Sequence, residues 1–313
     1  MFKQFLSIIV CCIIASTGNA QLVYANIKID YDSAWVCNHL QLIPIRYKDK
    51  TAKDNNSTAP QNFISLAQAM QQKKVQVKEN YFEGNADVRT LTIKNNSTQH
   101  VLVTDGELLQ GGKQDRMITE TKMIAPGKEA EYLNVFCIEK GRWSKKPKPF
   151  AHAGFAGSNV RKVADSTGIQ QNVWTEIEKQ FEHSHTTSTT YPYLQVQQKL
   201  LSKDTACYNY FMNRLAKSDS SYIGFIAVSD TTIIGCDVFA NAQLASSNFT
   251  NLLLAYQQVA VATGKPLPIT HNKLAAFADR LFATEESQKI FLQHHGKMFM
   301  QNKKPLHIVA YGN

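Results

Sequence analysis

The sequence lacks the motifs that would place it in several common classes of protein. Its 6 cysteines form no CxxC pair and its 9 histidines do not accompany them at ligand spacing, so a zinc site is not expected. No GK[ST] triplet follows the glycines of residues 105–116, which argues against a P-loop. No nucleic-acid recognition module accompanies the formal charge of +9. We therefore expect no metal, no cofactor and no specific nucleic-acid partner.

Long apolar runs are also missing, apart from one near the start. Phe5 to Ala15 follows Lys3 and leads into small and polar residues up to Ala20, which is typical of a secretory signal peptide. This apolar core is shorter than the roughly 20 residues that span a bilayer. A lipoprotein signal is disfavoured, because the residues before Cys11 are not small. We expect residues 1–20 to be removed, no transmembrane segment to remain, and the protein to be periplasmic or extracellular.

Four cysteines lie beyond residue 20, namely Cys37, Cys137, Cys207 and Cys236. An oxidising compartment permits disulfides. The wide spacings make buried free thiols the simpler expectation, and the pairing stays open. Removal of residues 1–20 takes away Lys3 and lowers the formal charge by one. The positive charge that remains affects solubility and non-specific contacts.

Residues 21–150 are predicted to form a β-rich domain. Turn-forming residues separate short segments rich in β-branched and aromatic side chains, and short links favour antiparallel neighbours. The result is a β-meander folded into a sandwich-like unit, preceded by a short amphipathic helix. The expected helix is Phe63–Lys74, and the expected strands are Val75–Asn80, Asp87–Lys94, His100–Leu109, Met117–Ile124 and Glu131–Glu139.

The second half is predicted to be mainly helical. Small residues over 151–169 indicate an irregular connection, and residues 170–262 combine helical apolar spacing with one β-hairpin. Residues 263–313 are expected to be a C-terminal extension. The fold class is thus α+β, an antiparallel N-terminal half packed on a helical half that contains a hairpin. The individual elements are helices from Gln170, over Leu194–Leu215 and over Asn248–Ala262, the hairpin Tyr222–Phe239, and a closing strand over Leu306–Gly312.

Several segments, in order, resemble one protein family. They read VKENYFEGNADVRTLTIKNNS, DGELLQGGKQDRMI, FCIEKGRW, QQNVWTEI, GFIAVSDTTIIGCDVF and NLLLAYQQVAV. The family is the domain associated with ADP-ribosylglycohydrolases and rhodanese-phosphatase-superfamily proteins, a domain of unknown function. The similarity spans Leu22 to Ala262, and Asp115 stands where the family pattern often has Asn. The resemblance implies an association with ADP-ribose-like or NAD-derived metabolites and specifies no reaction.

The segment DGELLQGGKQDR, residues 105–116, is the strongest candidate for a functional site. Gly111 and Gly112 permit close approach of a ligand or of another backbone, and Gln114 and Arg116 add hydrogen-bond donors beside them. One interpretation is a cradle for a small anionic or sugar-containing ligand. The other is a β-bulge or hairpin turn in which the arginine pairs with a nearby glutamate.

The two nearby glutamates are Glu107, within an apolar strand, and Glu139, at the end of another. The strand of Arg116 is expected between the strands of Glu107 and Glu139. The two carboxylates should therefore converge with Arg116 and Arg142 near one end of the sheet. As chemistry, the two carboxylates would divide acid and base roles. As structure, Glu–Arg pairs would hold a buried corner.

Three further residues extend the candidate site. Trp143 would stack on a sugar or base, or else plug the junction with the helices, and Arg142 would grip a phosphate. Gln171 is polar enough to face a cleft at a helix start. Asp237 would be a third acid, although a role in a strand-end turn is the simpler expectation.

Two functions are consistent with these features. The first is an exported ligand-binding protein, or an enzyme of unassigned reaction. The second is a non-catalytic envelope or interaction module in which the same residues form a structural polar network. The sequence leaves the oligomeric state open.

Overall fold

The computed structural model describes residues 22–49, 60, 62–83, 85–127, 129–200, 205–263 and 269–312. The expected signal peptide, residues 1–20, lies outside the described residues. Within them, no helix combines the length and apolar character that crossing a membrane requires.

The described elements confirm an α+β fold. The strands are β1 (Ile27–Ile29), β2 (Trp35–Cys37), β3 (Leu40–Tyr47), β4 (Phe63–Ser65), β5 (Val75–Phe82), β6 (Asn85–Asn95), β7 (His100–Val103), β8 (Glu107–Gly112), β9 (Arg116–Ile118), β10 (Lys122–Ile124), β11 (Ala130–Cys137), β12 (Lys148–Phe155), β13 (Tyr222–Ser229), β14 (Thr232–Phe239), β15 (Gly296–Gln301) and β16 (Lys304–Ala310). The helices are α1 (Leu66–Gln71), α2 (Ser158–Thr167), α3 (Gln170–His183), α4 (Tyr193–Leu200), α5 (Thr205–Ala216), α6 (Ala242–Thr263), α7 (His271–Phe282) and α8 (Glu285–His295).

The strands form three sheets. A six-stranded antiparallel sheet has the order β12-β8-β9-β11-β6-β5, which confirms that the Arg116 strand lies between the strand of Glu107 and the strand that leads to Glu139. A three-stranded sheet has the order β10-β7-β4, with β4 parallel to β7. The seven-stranded sheet runs β1-β3-β13-β14-β16-β15, with β2 also paired to β3. Its last two strands come from the predicted C-terminal extension.

Successive side chains of the central hairpin point to opposite faces of the seven-stranded sheet, and both faces are buried. Phe225 packs with Phe249 of α6 in one apolar cluster, whereas Ile226 packs with Leu281 of α7 in another. Successive side chains of a strand point to opposite faces. Helices therefore cover both faces of this sheet, and β13 and β14 confirm the predicted hairpin.

Two predicted elements differ from the structure. Ser65 caps the first helix, forming a capping box with Gln68, so the helix begins at Leu66 and Phe63–Ser65 pairs as β4 instead. Residues 151–169 are not irregular, because they contain most of β12 and all of α2. Their small residues reflect the half-exposed edge strand and a helix ended by Gly168, whose φ is +63°.

Long predicted segments are also divided. A turn around Gly106, whose φ is +89°, separates β7 from β8. The expected strand Met117–Ile124 is divided into β9 and β10, and Leu194–Leu215 contributes to the two helices α4 and α5.

The cysteine expectation is correct for two residues and wrong for the other two. Cys137 and Cys236 are free and buried. Cys37 and Cys207 form a disulfide with their Cα atoms 5.6 Å apart. The two lie 170 residues apart in sequence, and β2 packs beside α5, a proximity that spacing does not reveal.

Candidate functional site

Arg142 is the centre of a polar network that joins two segments of the chain. Its Nε donates to Glu139 Oε2, and its Nη2 donates to Asp115 Oδ1 at 2.6 Å. Nη1 and Nη2 also donate to the carbonyls of Gly112 and Gly111, each at 3.2 Å. The guanidinium therefore ties the β8–β9 turn to the chain that follows β11.

Glycine is needed in this turn for two reasons. Gly111 and Gly112 have φ values of +131° and +55°, which side-chain-bearing residues rarely adopt. A Cβ on Gly111 would also lie 2.5 Å from the carbonyl oxygen of Pro149. The turn closes on itself, because the Gly111 N–H donates to Asp115 Oδ1 at 2.8 Å. The glycines thus allow two carbonyls to face Arg142.

Gln114 and Arg116 form a second layer behind this network. Gln114 Nε2 donates to the carbonyl of Glu139 at 2.8 Å, and its Oε1 accepts from Arg116 Nη1 at 3.3 Å. Arg116 is fully buried, and its ion-pair partner is Glu79 of β5 at 3.4 Å. The predicted pairing of Arg116 with Glu107 or Glu139 is therefore wrong. Its actual partner lies on β5, which is not a neighbour of β9 in the sheet.

Glu107 lies apart from this network. It accepts from the N–H of Thr104 at 2.7 Å, and its other oxygen lies 3.1 Å from Nε2 of His152. It begins β8 whereas Gly112 ends it, a separation of roughly 17 Å for an extended strand. The predicted convergence of Glu107 with Glu139 is thus wrong, and Asp115 is the second carboxylate beside Arg142.

A cleft of about 680 Å³ adjoins the Arg142 network. Asp115, Glu139 and Arg142 all line it, and the Arg142 side chain is 29% exposed. Burial raises the pKa of Asp115, although the Gly111 N–H and Arg142 act in the opposite direction. The remaining lining comes chiefly from β12, the chain before it and the start of α4, and includes Gln110, Ser144, Lys146, Lys148, Gln195 and Gln198.

Trp143 and Gln171, both predicted to bind ligand, are not among the residues that line this cleft. Trp143 is 49% exposed, and the centroid of its ring lies 5.2 Å from Lys113 Nζ, a cation–π contact. Gln171 is exposed on α3. Its neighbour Gln170 instead holds both the N–H and the carbonyl of Cys137, each at 2.8 Å.

A larger buried network surrounds Asp237. This residue lies inside β14 and is fully buried, so the expected strand-end position is wrong. Both Nη atoms of Arg161 bind its carboxylate, at 3.1 and 2.8 Å. Tyr256 donates to it at 2.6 Å, and His307 Nε2 lies 2.9 Å away. The signal for this network in the sequence is a single polar residue within each of two apolar strands, Asp237 and His307, since a buried polar group needs a hydrogen-bond partner.

The network continues into the N-terminal half. His307 Nδ1 lies 2.9 Å from Thr121 Oγ1, which accepts from the Asp105 N–H at 2.9 Å. Arg161 Nε lies 3.5 Å from Asp105 Oδ2. Burial raises the pKa of Asp105 to about 8, and it lowers that of His307 despite the opposing charge of Asp237. The Asp237 carboxylate, the His307 imidazole and the Thr121 hydroxyl thus lie in a row. All three side chains are buried, so a substrate has no access to them.

Metal binding has no obvious location in the described residues, which contain no group of three or more His, Cys, Asp or Glu side chains able to hold an ion.

The fold and the cleft together define an α+β protein with a polar cleft at one end of its six-stranded sheet. The family model for the ARG and Rhodanese-Phosphatase-superfamily-associated Protein domain matches residues 28–302, and the chain belongs to this family. The match includes most of the region beyond Ala262, where the resemblance had ended. Comparisons with curated proteins and with solved structures found no match.

Proposed function

We propose that this protein is exported and binds a small ligand carrying a negative charge and hydroxyl groups in the cleft beside Arg142. The observation that carries the proposal is the position of the Arg142–Glu139–Asp115 network on the wall of a 680 Å³ cleft. Cavities of this size with a few convergent polar groups are typical ligand sites.

The charges around the cleft support an anionic ligand. Lys146 and Lys148 line it and are exposed, so their ammonium groups are available to a phosphate or carboxylate. Within the described residues, the contacts of Arg142 use four of the guanidinium's N–H groups and leave one on Nη1. Asp115 and Glu139 accept hydrogen bonds, as ligand hydroxyl groups require.

The lining favours a sugar over a nucleobase. Among the described residues that line the cleft there is no aromatic ring on which a base would stack, and the half-exposed Trp143 lies outside the lining. Three glutamine amides offer donors and acceptors to hydroxyl groups instead. A sugar phosphate or sugar acid is therefore the best fit, and an ADP-ribose-like ligand would bind through its ribose phosphate half.

Two features support export. Residues 1–20 have the pattern of a cleaved signal peptide. The disulfide between Cys37 and Cys207 is of the kind that persists in oxidising compartments and is rare in the cytosol.

Binding can be tested by isothermal titration with ribose 5-phosphate, ribose, AMP and inorganic phosphate. We expect ribose 5-phosphate to bind best and the double variant Lys146→Gln/Lys148→Gln to weaken it at least tenfold. Lys145→Gln is the matched control, because Lys145 is exposed but does not line the cleft. Absence of binding by all four compounds would refute a site of this class.

Export has a separate test. The mass of the protein recovered outside the cytoplasm of an expressing cell should correspond to a chain beginning at Gln21. Recovery of the intact chain with Met1, inside the cell only, would contradict export.

The second function, a non-catalytic interaction module, is favoured by one observation. Arg142 and Arg116 already contact carboxylates and other acceptors of the chain itself, as a structural network requires. Of the two glutamates predicted to be catalytic, Glu139 lines the cleft and Glu107 does not. Titration results that leave every compound unbound would favour this module.

A further inference from the structure

A second groove lies between α8 and the hairpin of β15 and β16, and its volume is about 610 Å³. Leu292, Met298, Met300 and Pro305 give it an apolar lining. Met298 also packs against the apolar cluster between the seven-stranded sheet and helices α7 and α8. The bottom of the groove is therefore continuous with the protein core, while Met300, at 48% exposure, leaves its outer end open to solvent.

Lysines surround this apolar surface. Lys289, Lys303 and Lys304 line the groove, and within the described part of the chain none of their ammonium groups has an ion-pair or hydrogen-bond partner. Asn302 and Lys303 both have positive φ, at 49° and 63°, in the tight turn between β15 and β16. The turn thus fixes Lys303 and Lys304 at one end of the groove. Lys297 also lines it, but its Nζ pairs with Asp165 at 2.7 Å.

Two carboxylates of the lining do not cancel these charges. Glu285 and Glu286 occupy the first turn of α8, whose N-terminus is closed by a capping box. The positive end of a helix dipole stabilises acidic side chains in that position. With Lys297 paired to Asp165, the three lysines Lys289, Lys303 and Lys304 still outnumber these two glutamates, and the lining keeps a net positive charge.

We propose that this groove binds a monomeric amphipathic anion, namely an unbranched acyl chain ending in a carboxylate. The chain would lie along Met298, Met300 and Leu292, and the carboxylate would be held by Lys303 and Lys304. Methionine is unbranched and adapts its shape to a flexible chain. Lysine offers a mobile point charge that suits a headgroup with no fixed orientation.

The test is isothermal titration of the purified protein with straight-chain carboxylates from hexanoate to decanoate, each below its micelle-forming concentration. Burial of each added methylene should tighten the Kd by up to about fourfold. Decyltrimethylammonium, which pairs a ten-carbon chain with a positive charge, should bind at least tenfold more weakly than decanoate. Equal binding of the two, or a Kd that does not change with chain length, would overturn the proposal.

Variants separate the two halves of the site. Lys303→Gln/Lys304→Gln should weaken decanoate binding without reducing the gain per methylene, whereas Met298→Ala/Met300→Ala should reduce that gain. Lys217→Gln is the control for loss of an exposed lysine, because Lys217 does not line the groove. Lys146→Gln/Lys148→Gln is the control for binding in the cleft beside Arg142. Both controls should bind decanoate like the unmodified protein. Weakening by Lys146→Gln/Lys148→Gln alone would place the ligand in the other cleft and refute this site.

Discussion

Replacing Arg161 by methionine should destabilise the protein more than any surface arginine substitution does. Arg161 is 1% exposed, and its guanidinium makes two hydrogen bonds to Asp237, which is fully buried. Removing one partner of a buried pair costs about 3–5 kcal/mol, because the other charge stays buried. Here Asp237 keeps hydrogen bonds from Tyr256 at 2.6 Å and His307 at 2.9 Å. The expected loss is therefore about 3 kcal/mol, the lower end of that range.

The assay is equilibrium unfolding in urea near neutral pH, followed by circular dichroism. Arg89→Met is the matched control, since Arg89 is 86% exposed and its Nε lies 3.8 Å from Asp87, and it should cost less than about 0.5 kcal/mol. In the double variant Arg161→Met/Asp237→Asn the buried charge is gone. That variant should lose less stability than the two single variants summed. A loss below about 1 kcal/mol for Arg161→Met, or additivity of the two single substitutions, would refute this account of the network.

Three further predictions concern other parts of the fold. Burial raises the pKa of Asp105 to about 8, so between about pH 4 and 8 the folded state keeps a proton that the unfolded state releases. The contribution of Asp105 to the free energy of unfolding therefore falls as pH rises through this range. Asp105→Asn should therefore become more stable relative to the unmodified protein as pH rises from 5 to 8, and urea unfolding that shows no such trend contradicts this. A thiol reagent should label no cysteine in the native protein lacking residues 1–20, and only Cys137 and Cys236 after unfolding without reductant; a third labelled site would contradict the disulfide. Gly111→Ala should destabilise the protein by about 1–3 kcal/mol more than Gly154→Ala, because both glycines have positive φ but only a Cβ at Gly111 would clash with Pro149. Equal melting temperatures of the two variants would contradict this clash.

Local patterns predicted most of the elements. The hairpin Tyr222–Phe239 and the helix starting at Gln170 follow directly from apolar periodicity. The segment after Phe150 was missed because small residues are common both in loops and in a half-exposed strand followed by a helix. Composition alone does not separate these two cases, whereas pairing with β8 does.

Within the candidate site, the turn could be predicted from local sequence, but the partners of the charged residues could not. Gly111 and Gly112 marked a turn that requires positive φ, which is a local property of the backbone. The partners of the nearby charges depend on distant segments. Arg116 of β9 pairs with Glu79 of β5, which is the edge strand of the sheet and three positions away from β9. Lys146 and Lys148 belong to the basic run KKPK, residues 145–148, but their place on the cleft follows from the path of the chain into β12.

Arg142 and Arg161 show why charge pairing alone does not identify a functional site. Each arginine contacts two carboxyl groups, those of Glu139 and Asp115 in one case and those of Asp237 and Asp105 in the other. Their exposure differs, at 29% and 1% of the side chain. A buried pair contributes mainly through the cost of breaking it, whereas a pair on the wall of a cleft can exchange contacts with a ligand. Substitution of the buried arginine should therefore change stability first, and substitution around the cleft should change binding first.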